Sequence, residues 1–189
     1  MALIIFSGMP ASGKDTITEL LIKDDNFIAF KKHKSVESSD ILKDTYYNIS
    51  KLEFEKKIKN NDFLQFHERY GHYYGVERNE IMKNIDKHQI IHIGRIENYY
   101  ILKDNISKIP NSPKIYHFLL CENAELLKER IINREKNQNE MQKRILALEQ
   151  EFDDLKDILR QMPFDLVIKN TDQIKTTNLI KKFIKIDES

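Results

Sequence analysis

The sequence predicts an α/β domain in which a parallel sheet core carries helices on both faces. Two observations lead there: strand-length apolar runs alternate with stretches of helical apolar spacing, and the first run passes through a glycine-bounded loop into the first helix. Ligands in such sheets sit at the carboxyl ends of the strands, and the loop lies at that edge.

Leu3-Ile4-Ile5-Phe6 is the first run, Gly8-Met9-Pro10-Ala11-Ser12-Gly13-Lys14 the loop, and Ile17, Leu20 and Leu21 take up helical spacing after it. Glycines let such a loop curl so that its N–H groups point inward, backed by the positive end of the helix dipole. This is the pattern of a phosphate-binding loop, with Lys14 as a mobile charge for the terminal phosphates. Asp15 stands where a hydroxyl residue follows the lysine in the usual pattern, and Thr16 comes one place later. Both offer hard oxygen ligands, so Mg²⁺ falls to Thr16 or Asp15.

The 189 residues suit one core, hence a single domain with inserted lobes. With 31 basic and 30 acidic residues the net charge is +1, which gives no bias toward nucleic acid or anionic membrane, so any phosphate affinity is local. No apolar run approaches a membrane span, and Met1–Phe6 is too short for a signal-peptide core. The single Cys121 can form no internal disulfide; a buried, inert thiol and a reduced, cytoplasmic location are expected.

Along the chain, Asp24-Asp25-Asn26 break the first helix before a short strand, Phe27–Phe30. The polar run from Lys31 to Asp44 reads as a solvated loop. Ser50 and Glu53 have capping-box spacing, so a helix runs from there to about Asn60 with Phe54 and Ile58 inward. Residues 63–76 read as two aromatic-rich strands folded about Gly71. A helix with Ile81, Met82 and Ile85 on one side leads to a buried strand, Gln89–Ile93, closed by Gly94-Arg95. A helix bearing Tyr99, Tyr100 and Leu102 precedes the strand Ile115–Leu120. The helix 123–134 places Arg130 and Arg134 on one face, able to reach one anion together. A long helix then shows an apolar stripe at Met141, Ile145, Leu148, Phe152, Leu155 and Leu159, flanked by Arg144 and stopped by Pro163. Leu166-Val167-Ile168 form the last strand, and the closing helix carries Leu179, Ile180 and Phe183.

By its motifs the chain resembles the guanylate kinase family over nearly its whole length. The stretches that carry the resemblance are Gly8–Thr16, Tyr46–Ser50 with Glu53-Phe54, Phe63-Leu64-Gln65 through Gly71-His72-Tyr73-Tyr74-Gly75, Arg130, Arg134 and Arg144, and Phe164–Asn170. The resemblance implies a P-loop nucleoside monophosphate kinase fold with a core of 1–30 and 87–189, an inserted monophosphate-binding lobe at 31–86 and a helical lid at 126–145. It implies ATP as donor, held by Gly8, Ala11, Ser12, Gly13, Lys14, Asp15, Thr16 and, near the adenine, Asn170. It implies Mg²⁺ as cofactor and a catalytic set of Lys14, Arg130, Arg134 and Arg144. The acceptor it implies is a small monophosphate, GMP first, held by Lys34, Tyr46, Gln65 and Tyr74; Arg95 joins this set as a replacement for missing acceptor arginines, and a monomer or homodimer is expected.

The acceptor residues depart from the family pattern. Lys34 and Glu37 stand for two arginines, Gln65 for the glutamate that accepts two hydrogen bonds from the guanine edge, and Val76 for a hydroxyl residue. His92-Ile93-Gly94-Arg95 replaces an acidic strand end. Gly-Lys-Asp-Thr at 13–16, Val76 and Arg95 look like the ribose bisphosphate phosphokinase branch of the superfamily, the second reading. A catalytically inactive guanylate-kinase-like binding module is a third, and a regulatory NTPase a fourth.

Overall fold

The computed structural model describes residues 1–37, 44–69, 71–161 and 164–187. The first half of the chain contains β1 (Ala2–Ser7), α1 (Lys14–Leu21), β2 (Phe27–Ala29), β3 (Lys32–Val36), β4 (Tyr46–Ser50), α2 (Lys51–Lys59), β5 (Phe63–Arg69), β6 (His72–Glu77), α3 (Arg78–Lys83) and β7 (His88–His92). The second contains α4 (Ile96–Ser107), β8 (Lys114–Cys121), α5 (Ala124–Arg134), α6 (Gln138–Gln161), β9 (Leu166–Lys169) and α7 (Gln173–Asp187). One sheet has the order β2-β7-β1-β8-β9 and the other β4-β3-β6-β5. Among the described residues no helix is long and apolar enough to cross a membrane. Two compact units are formed, one by Met1–Ile4 with Ile28–Ile115 and one by Ile5–Phe27 with Tyr116–Ser189.

In the second unit β8 and β9 pair in parallel, from Phe118 opposite Leu166 to Cys121 opposite Lys169. Every residue of β1 is buried, and Tyr116 to Leu120 of β8 are buried without a break, as strands covered on both faces must be. Phe183 of α7 meets Phe118 edge to face at 5.6 Å, and α1 turns Ile17 and Leu21 inward. Two polar contacts lie within this core: Ser7 Oγ is 2.8 Å from His117 Nε2, and Asp165 Oδ2 accepts from the His117 amide at 2.7 Å. A smaller cluster of Met9, Leu127, Ile131 and Leu148, with Met141, Ile145 and Phe152 against it, fixes α5 and α6 beside the loop after β1. The apolar stripe expected on α6 therefore packs in its first half, whereas Leu159 is 47% exposed. Cys121 is half-buried, with its thiol 3.5 Å from the Ile168 carbonyl and held protonated by burial.

The first unit corrects the sequence at Lys31–Asp44. Lys32–Val36 is a strand of the small sheet, with His33 and Ser35 buried and its even-numbered residues on the opposite face. Periodicity missed it because the inward residues are polar. Each finds a partner there, Ser35 Oγ accepting from the Tyr73 amide at 2.7 Å and His33 Nε2 lying 3.1 Å from Glu77 Oε2. Residues 38–43, Tyr70, Pro163 and the Leu155 side chain lie outside what is described. Ser50 caps α2 as expected, its Oγ accepting from the Glu53 amide at 3.2 Å. That helix drives Phe54 between Phe63 at 4.4 Å and Tyr73 at 5.4 Å, covering one face of the sheet. Phe54 is fully buried, so Phe54→Ala should cost about 3–5 kcal/mol in a denaturant titration, the range for emptying a phenylalanine site.

Candidate active site

The loop after β1 is shaped by two glycines. A Cβ on Gly8, at φ 145°, would lie 2.3 Å from the Leu120 carbonyl oxygen, and one on Gly13, at φ 95°, would lie 2.3 Å from Asn170 Nδ2. Between them Ala11 takes a left-handed φ of 61°, and the Ser12 amide donates back to the Met9 carbonyl at 3.2 Å. Gly13 is the N-cap of α1 and has no side chain, so nothing at the cap competes with a phosphate for the first helical N–H groups. Lys14 donates to the carbonyls of Gly8 at 2.7 Å and Met9 at 2.9 Å and to Ser12 Oγ at 3.3 Å, which folds its ammonium over the loop.

Around this loop lies a cavity of about 520 Å³, lined by Ala11, Gly13, Lys14, Asp15, Thr16 and, from α5 and α6, Arg130, Arg134 and Arg144. Arg130 donates from Nη1 to the Ala11 carbonyl at 3.2 Å and from Nη2 to the Asn170 carbonyl at 3.1 Å. Arg144 pairs through Nε with Glu135 Oε2 at 3.1 Å, which aims its guanidinium from α6. Four cations thus share one concave space with the helix dipole, an arrangement suited to a polyphosphate. Asp15 and Thr16 supply its oxygen ligands, and among the described residues no group of three or more His, Cys, Asp or Glu could hold a metal ion by itself.

The small sheet gathers a second set of residues. Lys34 stands opposite Tyr74, His67 opposite Tyr74, Lys32 opposite Tyr46 and Gln65 opposite Val76, so these side chains share the face away from Phe54. The rings of Tyr46 and Tyr74 meet edge to face at 5.6 Å, and those of His67 and Tyr74 stack at 5.6 Å. Gln65, buried at 2% exposure, has its Nε2 3.1 Å from His67 Nδ1. Arg95 caps α4, and its charge, with those of Lys32 and Arg69, adds to burial in lowering the His67 pKa to about 4. Burial first and Arg69 second lower Lys32 to about 8, its ammonium donating to the His92 carbonyl at 2.5 Å.

A family model described as guanylate kinase matches residues 1–187. The chain belongs to the guanylate kinase family. It is 35% identical to the guanylate kinase of Clostridium tetani over 136 residues, 70% of this chain and 62% of that relative. The match therefore spans less than two thirds of the length of that clostridial relative. With the Helicobacter pylori guanylate kinase it shares 27% identity over 188 residues, 97% of this chain and 86% of the relative. The crystal structure of the guanylate kinase from Anaplasma phagocytophilum superimposes with a TM-score of 0.65 at 16% identity, covering 98% of this chain and 85% of that one. Its fold is the one expected from the alternating strands and helices.

Within this guanylate-kinase-like frame, Lys14, Arg130, Arg134 and Arg144 all reach the cavity, as do Ala11, Gly13, Asp15 and Thr16. Gly8, Ser12 and Asn170 do not line it. Asn170, expected near the adenine, instead sits behind the loop in the ligand-free structure. It is fully enclosed, and its Nδ2 donates to the Ser12 carbonyl at 2.8 Å, so it holds the loop from behind. Asn133 and Gln173 also line the cavity; neither stands out in sequence, one being an ordinary helix residue and the other opening α7. Lys32, His67 and Arg69 were missed on the small sheet. The i, i+2 spacing of Gln65, His67 and Arg69 along a strand was the available signal.

Two outcomes follow. Asn170→Ala should lower stability by about 1–3 kcal/mol through the orphaned Ser12 carbonyl and weaken nucleotide binding in calorimetry. His67 binds its proton near pH 4 when folded and near 6.5 when unfolded, so as pH falls the unfolded chain protonates first. Stability is retained above pH 6.5 and lost toward pH 4, and His67→Phe should flatten that slope in urea titrations run at pH 7 and pH 5.

Proposed function

We propose that the chain is an ATP-dependent phosphotransferase that passes the γ-phosphoryl group of ATP to the phosphate of GMP. The observation that carries this reading is one cavity in which Ala11 and Gly13 of the loop, Lys14 and the three arginines 130, 134 and 144 converge. The loop amides and Lys14 hold the donor's phosphates, and the arginines neutralise charge as the γ-phosphoryl leaves. An oxygen of the acceptor's phosphate forms the new P–O bond as the bond to the β-phosphate oxygen breaks, giving ADP and a diphosphate. No protein nucleophile is required, since the chemistry rests on positioning and charge. Mg²⁺ fits the oxygens of Thr16 and Asp15, and when bound it supplies charge to the phosphates.

The small sheet is the acceptor side of this reading. Lys34, Tyr46 and Tyr74 suit a phosphate, Gln65 a base edge, and the three lysine and arginine side chains around His67 keep the face cationic. The intact lysine and arginine set supports turnover over a binding module that has lost catalysis.

The test is ADP release by purified protein with ATP, Mg²⁺ and GMP, dGMP, AMP or ribose bisphosphate. GMP should be the preferred acceptor. Release on ribose bisphosphate alone would reassign the acceptor, and acceptor-independent hydrolysis would replace the kinase with an NTPase. Lys14→Met should lower kcat by about 10²–10³, the scale for removing one preorganised charge partner of the transition state.

A further inference from the structure

We propose that His67 is a specificity-determining positioning residue: by accepting a hydrogen bond from Gln65 Nε2 it fixes that amide so that Oε1 is the group offered to the acceptor's base. The inference rests on the acceptor reading given above and names what the small sheet selects, a purine whose edge donates N–H, as guanine does at N1, over adenine, whose N1 accepts.

Gln65 Nε2 lies 3.1 Å from His67 Nδ1. An amide nitrogen can only donate, so Nδ1 is the unprotonated nitrogen and the ring is neutral with its proton on Nε2. The ring is fixed in turn by stacking on Tyr74, with planes 19° apart, and the strand register sets His67 directly opposite that tyrosine. Burial disfavours a second proton on it, and so do the charged groups acting on it, Lys32 from β3, Arg95 at the start of α4 and Arg69 from β5, so the acceptor state of Nδ1 persists at neutral pH. A carboxylate at position 65 presents oxygen in either rotation and needs no such partner. A carboxamide presents oxygen one way and NH₂ the other, and Gln65 is too deeply buried for water to correct the wrong choice.

The test measures kcat/KM for GMP and AMP in wild type, His67→Phe, His67→Asn, Gln65→Glu and the double variant Gln65→Glu/His67→Phe at pH 7.5, with circular dichroism and Tm for each. Phenylalanine keeps the stack on Tyr74 and removes Nδ1, so the GMP:AMP ratio should fall about tenfold, chiefly through KM for GMP. Asparagine, which can again accept from Gln65, should restore most of it. In the Gln65→Glu background the same His67→Phe change should alter the ratio by less than about twofold, which a merely structural role of the ring would not produce. An unchanged ratio in folded His67→Phe, or an equal loss in both backgrounds, overturns the inference while leaving the acceptor reading intact. A wild-type protein that phosphorylates no purine monophosphate overturns both.

Discussion

The amide of Asn170 bears on both the backbone and the chemistry of the loop after β1. From the end of β9 it donates to the Ser12 carbonyl at 2.8 Å and occupies the space that a side chain on Gly13 would need. Gly13 is thereby free to cap α1 in a left-handed conformation, and the first amides of the helix stay directed at the cavity. Arg130 closes the same network from the other side, bridging the carbonyls of Ala11 and Asn170. The Arg130 guanidinium, the strand end and the loop thus share one set of hydrogen bonds, and the loop's conformation is set by tertiary partners as much as by its glycines.

Charge is distributed on the same logic. The chain is close to neutral overall, yet four cations line one cavity and three more crowd His67 on the small sheet. Holding like charges together costs free energy that an anionic ligand offsets when it binds. Burial first, and these neighbouring charges second, bring Lys32 down to about 8 and His67 down to about 4 in the ligand-free protein. On the opposite face of the small sheet the polar groups are instead paired internally, with Lys57 3.0 Å and His33 3.1 Å from the same Glu77 oxygen. One face gathers cations, while on the other Glu77 pairs with both Lys57 and His33.

Local signals carried the frame of the molecule. The strand, loop and helix at Leu3–Leu21, the cap at Ser50, the buried runs at Gln89–Ile93 and Ile115–Leu120 and the arginine pair on α5 could be read because each depends on neighbours in sequence: continuous apolar residues, cap chemistry, or a fixed helical spacing. The family pattern added Lys34, Tyr46, Gln65 and Tyr74, which the structure gathers on the small sheet.

By itself, then, the sequence determined a glycine-bounded loop between strand and helix on a parallel α/β core, and the lysine and arginines that line its cavity. Tertiary structure decided what depends on partners far along the chain. Lys32–Val36 is a strand because β4 and β6 pair with it and Tyr73 and Glu77 offer partners to its inward Ser35 and His33, and no periodicity of apolar residues could have announced it. Asn170 holds the loop because β9 ends beside Ser12, 158 residues away in sequence. His67 acquires its role from Gln65, Tyr74 and three cations that only the folding of the strands brings around it. Hydrogen bonds and charge act over a few ångströms in space, and that proximity is a property of the fold.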